Sequence, residues 1–114
     1  MKKVTTSELL GKGFVVNNGK WSYNGTPCVI DFYAEWCVPC KPQLTVLSDL
    51  SKEYQDVDFY TVNVEEEYEL AELFNIRNLP TVYVCGKDTK KLFTGFTQRT
   101  KIEEVLKTQI GIHA

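Results

Sequence analysis

The stretch Cys28-Val-Ile-Asp-Phe-Tyr-Ala-Glu-Trp-Cys-Val-Pro-Cys-Lys41 decides how this chain is read. Its first seven residues form a nearly unbroken apolar run, the pattern of a central strand covered on both faces, and the run holds one carboxylate, Asp31. A charge inside such a strand is costly, so Asp31 needs a reason to be there. From about Val38 to Tyr54 the residues Leu44, Leu47, Leu50 and Tyr54 recur at helical spacing, with Pro39 near the first turn, where its missing N–H costs little. The strand therefore runs into a helix. Cys37 is expected at the helix N-terminus, where unpaired N–H groups and the helix dipole favour a negative charge.

Working outward, Val57 to Val64 reads as a second strand, and Glu65-Glu66-Glu67 places acids at the start of a helix carrying Leu70, Leu73 and Phe74. After Leu79-Pro80, residues Thr81 to Cys85 read as a third strand, and Gly86-Lys87-Asp88-Thr89 turns the chain into a fourth, Leu92 to Phe96, as an antiparallel hairpin. Thr100 and Glu103 have capping-box spacing and predict a last helix with Ile102, Val105, Leu106 and Ile110 on one face. Upstream, an extended start near Val4 leads to a brief helix capped by Ser7 and ended by Gly11 and Gly13. Val16 to Pro27 reads as a loop whose Trp21 and Tyr23 pack on the domain edge. The order predicts an α/β protein: one domain over residues 1–114, with a central mixed sheet flanked by helices on both faces and the Asp31 strand near its centre.

A chain of 114 residues with 43% hydrophobic content can bury a core without staples. A net charge of -2, from 13 basic and 15 acidic side chains, offers no polycationic face, so no nucleic-acid or membrane partner is expected. No apolar run approaches the roughly 18 residues of a spanning helix. Met1-Lys2-Lys3 leads into polar residues rather than a signal-peptide core, so a cytoplasmic protein is expected, or a periplasmic one if a signal has been removed.

The four cysteines divide into a C-x-x-C, Cys37 and Cys40, and two that stand alone, Cys28 and Cys85. The three-residue offset lets two sulfurs meet across one helical turn while Pro39 restrains the loop and Trp36 shields one side. A C-x-x-C beside a βαβ pattern is a known redox signature. A closed zinc site needs about four ligands, and the sole histidine, His113, lies at the C-terminus, so no metal is expected. Cys28 and Cys85 read as small buried hydrophobes, although adjacent antiparallel strands can also bring them near each other.

The segment Val29 to Lys41 resembles the active-site stretch of thioredoxins, and Leu79-Pro80-Thr81 resembles the family's Ile-Pro-Thr, with Gly95 matching before the last helix. The similarity spans roughly residues 28 to 110. It implies a thioredoxin fold, Cys37 as nucleophile, Cys40 as resolving thiol, Asp31 as buried proton acceptor and Pro80 as a cis residue facing the thiols. It also implies a substrate-contacting surface of Trp36, Val38, Pro39, Leu79 and Pro80. Three departures stand out. Val38 replaces the usual Gly between the cysteines and bears on redox poise. Thr61 stands where the family has a lysine near the aspartate, so desolvation alone should raise the Asp31 pKa. Pro42 follows Cys40 closely, whereas the family's helix proline aligns with Thr45.

The expected activity is reduction of protein disulfides by a monomer that needs no bound cofactor. The resemblance implies electrons arriving from NADPH through a thioredoxin reductase. An oxidase or isomerase of an oxidising compartment remains the alternative within the same chemistry, and a non-catalytic binding module the alternative outside it.

Overall fold

The computed structural model describes all residues, 1–114. The strands are β1 (Lys2–Lys3), β2 (Phe14–Asn17), β3 (Lys20–Tyr23), β4 (Cys28–Tyr33), β5 (Asp58–Asn63), β6 (Thr81–Gly86) and β7 (Thr89–Thr94). The helices are α1 (Thr6–Leu10), α2 (Cys40–Glu53), α3 (Tyr68–Leu73) and α4 (Arg99–Val105), the last continuing as a wider turn over Leu106–Ile110. Five strands form one sheet in the order β1-β5-β4-β6-β7, and β2 and β3 form a separate two-stranded ribbon. β4 pairs parallel with β5 and antiparallel with β6, so the sheet is mixed and the Asp31 strand is its centre.

Alternation along β4 explains why both faces are covered. Cys28, Ile30 and Phe32 point into a core shared with Leu9, Leu70 and Phe74 and with the ribbon aromatics Phe14, Trp21 and Tyr23. Val29 points the other way, into a core of Leu47, Leu50, Val82, Val84, Ile102 and Leu106 beneath α2 and α4. Asp31 is on this second side, at the end where α2 begins.

Several local expectations are corrected. Thr5, not Ser7, caps α1, in a reciprocal box with Glu8. The segment read as a loop from Val16 contains the β2–β3 ribbon, turned at Asn18 and Gly19, both with positive φ. Its base closes where a Cβ on Gly13 would strike the Gly25 backbone and a Cβ on Gly25 would strike Lys12 O and the Tyr23 side chain. β7 runs from Thr89 to Thr94 rather than from Leu92 to Phe96, because Lys87 and Asp88 make a two-residue turn. The Thr100 box does not form: α4 starts at Arg99, and the Glu103 carboxylate instead accepts from Tyr54 Oη at 2.6 Å and Arg99 Nε at 2.9 Å. On α2 the buried stripe is Cys40, Gln43, Leu47 and Leu50, while Leu44 is largely exposed.

Candidate active site around Cys37 and Cys40

The C-terminal end of β4 releases the chain through Ala34 into a turn, and α2 begins at Cys40 rather than at Val38. Cys37 thus lies just ahead of the helix: its N–H donates to Ala34 O at 3.1 Å and its carbonyl accepts from Cys40 N–H at 3.3 Å. Pro42 falls in the first turn of α2, which runs on without a break to Glu53, as expected of a proline whose N–H would have had no helical partner. Cys37 and Cys40 are joined as a disulfide with Cα atoms 5.4 Å apart. Both are buried in this oxidised form, Cys37 at 3% and Cys40 at 5% exposure, so exposure does not set one thiol apart. What differs is position, since Cys37 precedes the positive end of α2 and Cys40 is part of its first turn.

Asp31 lies beneath the pair. It is 1% exposed, in register with Thr61 on β5 and Val82 on β6, and neither carboxylate oxygen has a hydrogen-bond partner. Burial pushes its pKa up to about 7, the direction expected from the absence of a cation at Thr61. A pocket of about 220 Å3 links the two features, lined by Asp31, Thr61, Cys37, Cys40, Lys41 and Leu44 among others. Asp31, Cys37 and Cys40 thus line one cavity.

Around this centre, Trp36 (68% exposed) and Val38 (74%) stand out into solvent, and Pro39 is exposed beside them. Leu79 packs against the Cys37, Cys40 and Ala34 cluster, and the Leu79–Pro80 bond is cis, with Pro80 buried. Every site residue singled out from the sequence falls on this one end of the sheet. Two features were not foreseen. A shallow groove of about 350 Å3 runs from Trp36 past Tyr68 and Ile76 to Leu79. Gln43, fully buried, reaches from α2 to the loop after β7, where its Oε1 accepts from Thr97 N–H at 2.7 Å and its Nε2 donates to Thr97 O at 3.1 Å. The helical period could have flagged Gln43, which lies one turn from Leu47 on the buried stripe. No cluster of three or more His, Cys, Asp or Glu side chains suited to a metal occurs, and no helix is long and apolar enough to cross a membrane.

The thioredoxin family profile matches residues 17–108, which takes in the β3 strand upstream of Cys28. The chain belongs to the thioredoxin family. It is 36% identical over 112 residues to thioredoxin of Borreliella burgdorferi, covering 95% of this chain and 96% of that one. Thioredoxin of Mycoplasma genitalium is 37% identical over 75 residues, 65% of this chain and 74% of the relative. Among solved structures, Fasciola hepatica thioredoxin superposes with a TM-score of 0.74 at 29% identity, over 94% of this chain and 97% of that chain. Chlamydomonas reinhardtii thioredoxin f2 gives a TM-score of 0.78 at 25% identity, over 99% of each. The mixed sheet flanked by helices is the thioredoxin fold, and the protein is a thioredoxin-type thiol–disulfide oxidoreductase carrying a Cys37–Cys40 disulfide.

Proposed function

We propose that this thioredoxin-family protein reduces protein disulfides, with Cys37 attacking and Cys40 resolving. The observation that carries the reading is one cavity lined by Cys37, Cys40 and Asp31, whose buried carboxylate oxygens are unpaired. In the reduced protein the Cys37 thiolate, favoured by the N-terminal end of α2, attacks one sulfur of a substrate disulfide and displaces the other as a thiolate. Cys40 then attacks the Cys37 sulfur of the mixed disulfide, releasing the second substrate thiol and closing the Cys37–Cys40 bridge. Asp31, with a pKa of about 7, is matched to accept the Cys40 proton near neutral pH, directly or through one water. The backbone of Leu79 offers an edge for an extended substrate peptide, and Trp36, Val38, Pro39 and Pro80 surround the reacting sulfur.

On this reading the working unit is a cytoplasmic monomer, needs no bound cofactor, and is returned to the dithiol by an NADPH-dependent thioredoxin reductase. An insulin-reduction assay driven by dithiothreitol tests it. The parent should accelerate insulin precipitation and Cys37→Ser should not; equal rates in the two would refute it.

A further inference from the structure

Outside the site, the chain buries a second pair of thiols. Cys28 on β4 and Cys85 on β6 are direct cross-strand partners, both 0% exposed and both free. The ladder also fixes how their backbones face. Pro27 O accepts from Asp58 N–H at 2.9 Å, on the β5 side of β4, and Pro80 O accepts from Gly95 N–H at 2.8 Å, on the far side of β6. Successive peptide groups of a strand point to opposite sides, so the Cys28 peptide groups turn toward β6 and those of Cys85 toward β4. The two residues form a hydrogen-bonded antiparallel pair, whose Cα atoms stand about 5.5 Å apart. That is within the disulfide range of roughly 4.4–6.8 Å. Their Cβ atoms, toward the upper end of the roughly 4.5–5.5 Å range as in other hydrogen-bonded pairs, must close by about 1 Å to reach disulfide geometry, and a bridge formed that way is strained and easily reduced. Contact with the Cys28 thiol, and then burial, push the Cys85 thiol up, so Cys85 is not a ready thiolate and a closure that begins from it is slow.

What covers the pair includes a ribbon held by aromatic packing, with Trp21 stacked on Phe74 at 4.2 Å and edge-on to Tyr83 at 5.3 Å. Trp21 and Tyr23 of the β2–β3 ribbon share a core with Cys28 and Cys85, yet the ribbon is not paired to the main sheet. Its links to the β6–β7 hairpin include Lys90 Nζ to Trp21 O at 2.6 Å and Asp88 N–H to Tyr23 O at 3.3 Å. Local opening of this ribbon would give a small oxidant access to the pair without global unfolding.

We infer that Cys28 and Cys85 are a second dithiol–disulfide couple, oxidised by a hydroperoxide to a reversible bridge that locks β4 to β6. In the first step a Cys28 or Cys85 thiolate attacks a peroxide oxygen. The S–O bond forms, the O–O bond breaks, and hydroxide leaves as water with the thiol's proton. In the second the partner thiol attacks the sulfenic sulfur, the S–S bond forms, the S–O bond breaks, and a second water leaves. Two thiols and one hydrogen peroxide become one disulfide and two waters. The couple is independent of Cys37 and Cys40, which lie at the other end of β4.

The test uses full-length Cys37→Ser/Cys40→Ser, which retains only the buried pair and so cannot report on the main site. After incubation of the folded, reduced protein with hydrogen peroxide, the expected product is a monomer lighter by two mass units, with a Cys28–Cys85 linked peptide after digestion. Dithiothreitol should restore both thiols. Adding Cys85→Ala should abolish the two-unit loss. Sulfinic or sulfonic products alone, a disulfide-linked dimer, or two unreacted thiols after prolonged exposure would each overturn the proposal.

Discussion

Gln43 grips Thr97 by both ends of its amide, tying the first turns of α2, three residues beyond Cys40, to the loop that follows Gly95. Gly95 in turn donates its N–H to Pro80 O. One buried side chain therefore fixes the start of the thiol helix against the strand edge carrying Pro80. Gln43→Leu should fill the same space and leave two buried backbone groups of Thr97 unpaired, costing about 2–4 kcal/mol. Urea unfolding of the two proteins measures it, and a cost under about 0.5 kcal/mol would mean the grip is dispensable.

Asp31→Asn should stabilise the protein at neutral pH. The folded carboxyl has a pKa of about 7 against 3.8 for the free side chain, so between about pH 4 and 7 the folded state holds a proton that the unfolded state has lost. Stability contributed by this group therefore falls as pH rises through that window and levels off above it. The gap sets a ceiling of about 4 kcal/mol at alkaline pH. Unfolding curves at pH 4 and pH 8 should show the Asn variant gaining over the parent only at the higher pH; a loss at pH 8 would contradict the assignment.

The same substitution should slow catalysis. With no carboxylate to take its proton, Cys40 should resolve a preformed mixed disulfide on the order of 100-fold more slowly near pH 7, the lower end for a lost general base. Stopped-flow release of the substrate thiol reads this directly. Parental rates across pH 6–8 would reduce Asp31 to a structural residue.

Cys40→Ser should accumulate covalent complexes with disulfide-bearing proteins, since attack survives and resolution is lost. Non-reducing electrophoresis after incubation with oxidised insulin should show the adduct for this variant and none for Cys37→Ser. The reverse pattern would exchange the two roles. Trp36→Ala, at an exposed position, should change stability by less than about 0.5 kcal/mol. It should raise the KM for insulin several-fold with little change in kcat, and an unchanged KM would remove Trp36 from the docking surface.

What the sequence disclosed tracks where local and tertiary forces agree. The β4 run announces a central strand because burial on both faces leaves nearly every position apolar, and Asp31 is conspicuous because it breaks that rule. The ribbon was hidden for the opposite reason. Lys20, Trp21, Ser22 and Tyr23 do alternate exposed and buried, and Asn18-Gly19 is a hairpin turn pair, but four residues of alternation amid Asn, Gly and Lys look like a loop. Thr100 and Glu103 satisfy a capping pattern, yet Arg99, one helical turn away, and Tyr54, 49 residues away, compete for the same carboxylate, and only the first is visible to a local rule. Gln43 is hard to read from the sequence because a polar residue on a helix is ordinarily solvated, and its partner is 54 residues away. Cys28 and Cys85 were open to pairing, but only the β4–β6 register makes them direct neighbours.

The direction of electron flow rests on the potential of the Cys37–Cys40 couple, which Val38 leaves to be measured. Equilibration of Cys28→Ala/Cys85→Ala with dithiothreitol redox buffers, read by thiol-specific mass tagging, isolates that couple. A two-electron transition near about -270 mV, the range of disulfide-reducing thioredoxins, is the expected result. A midpoint at about -180 mV or higher, where isomerases and oxidases operate, would contradict the reductase assignment.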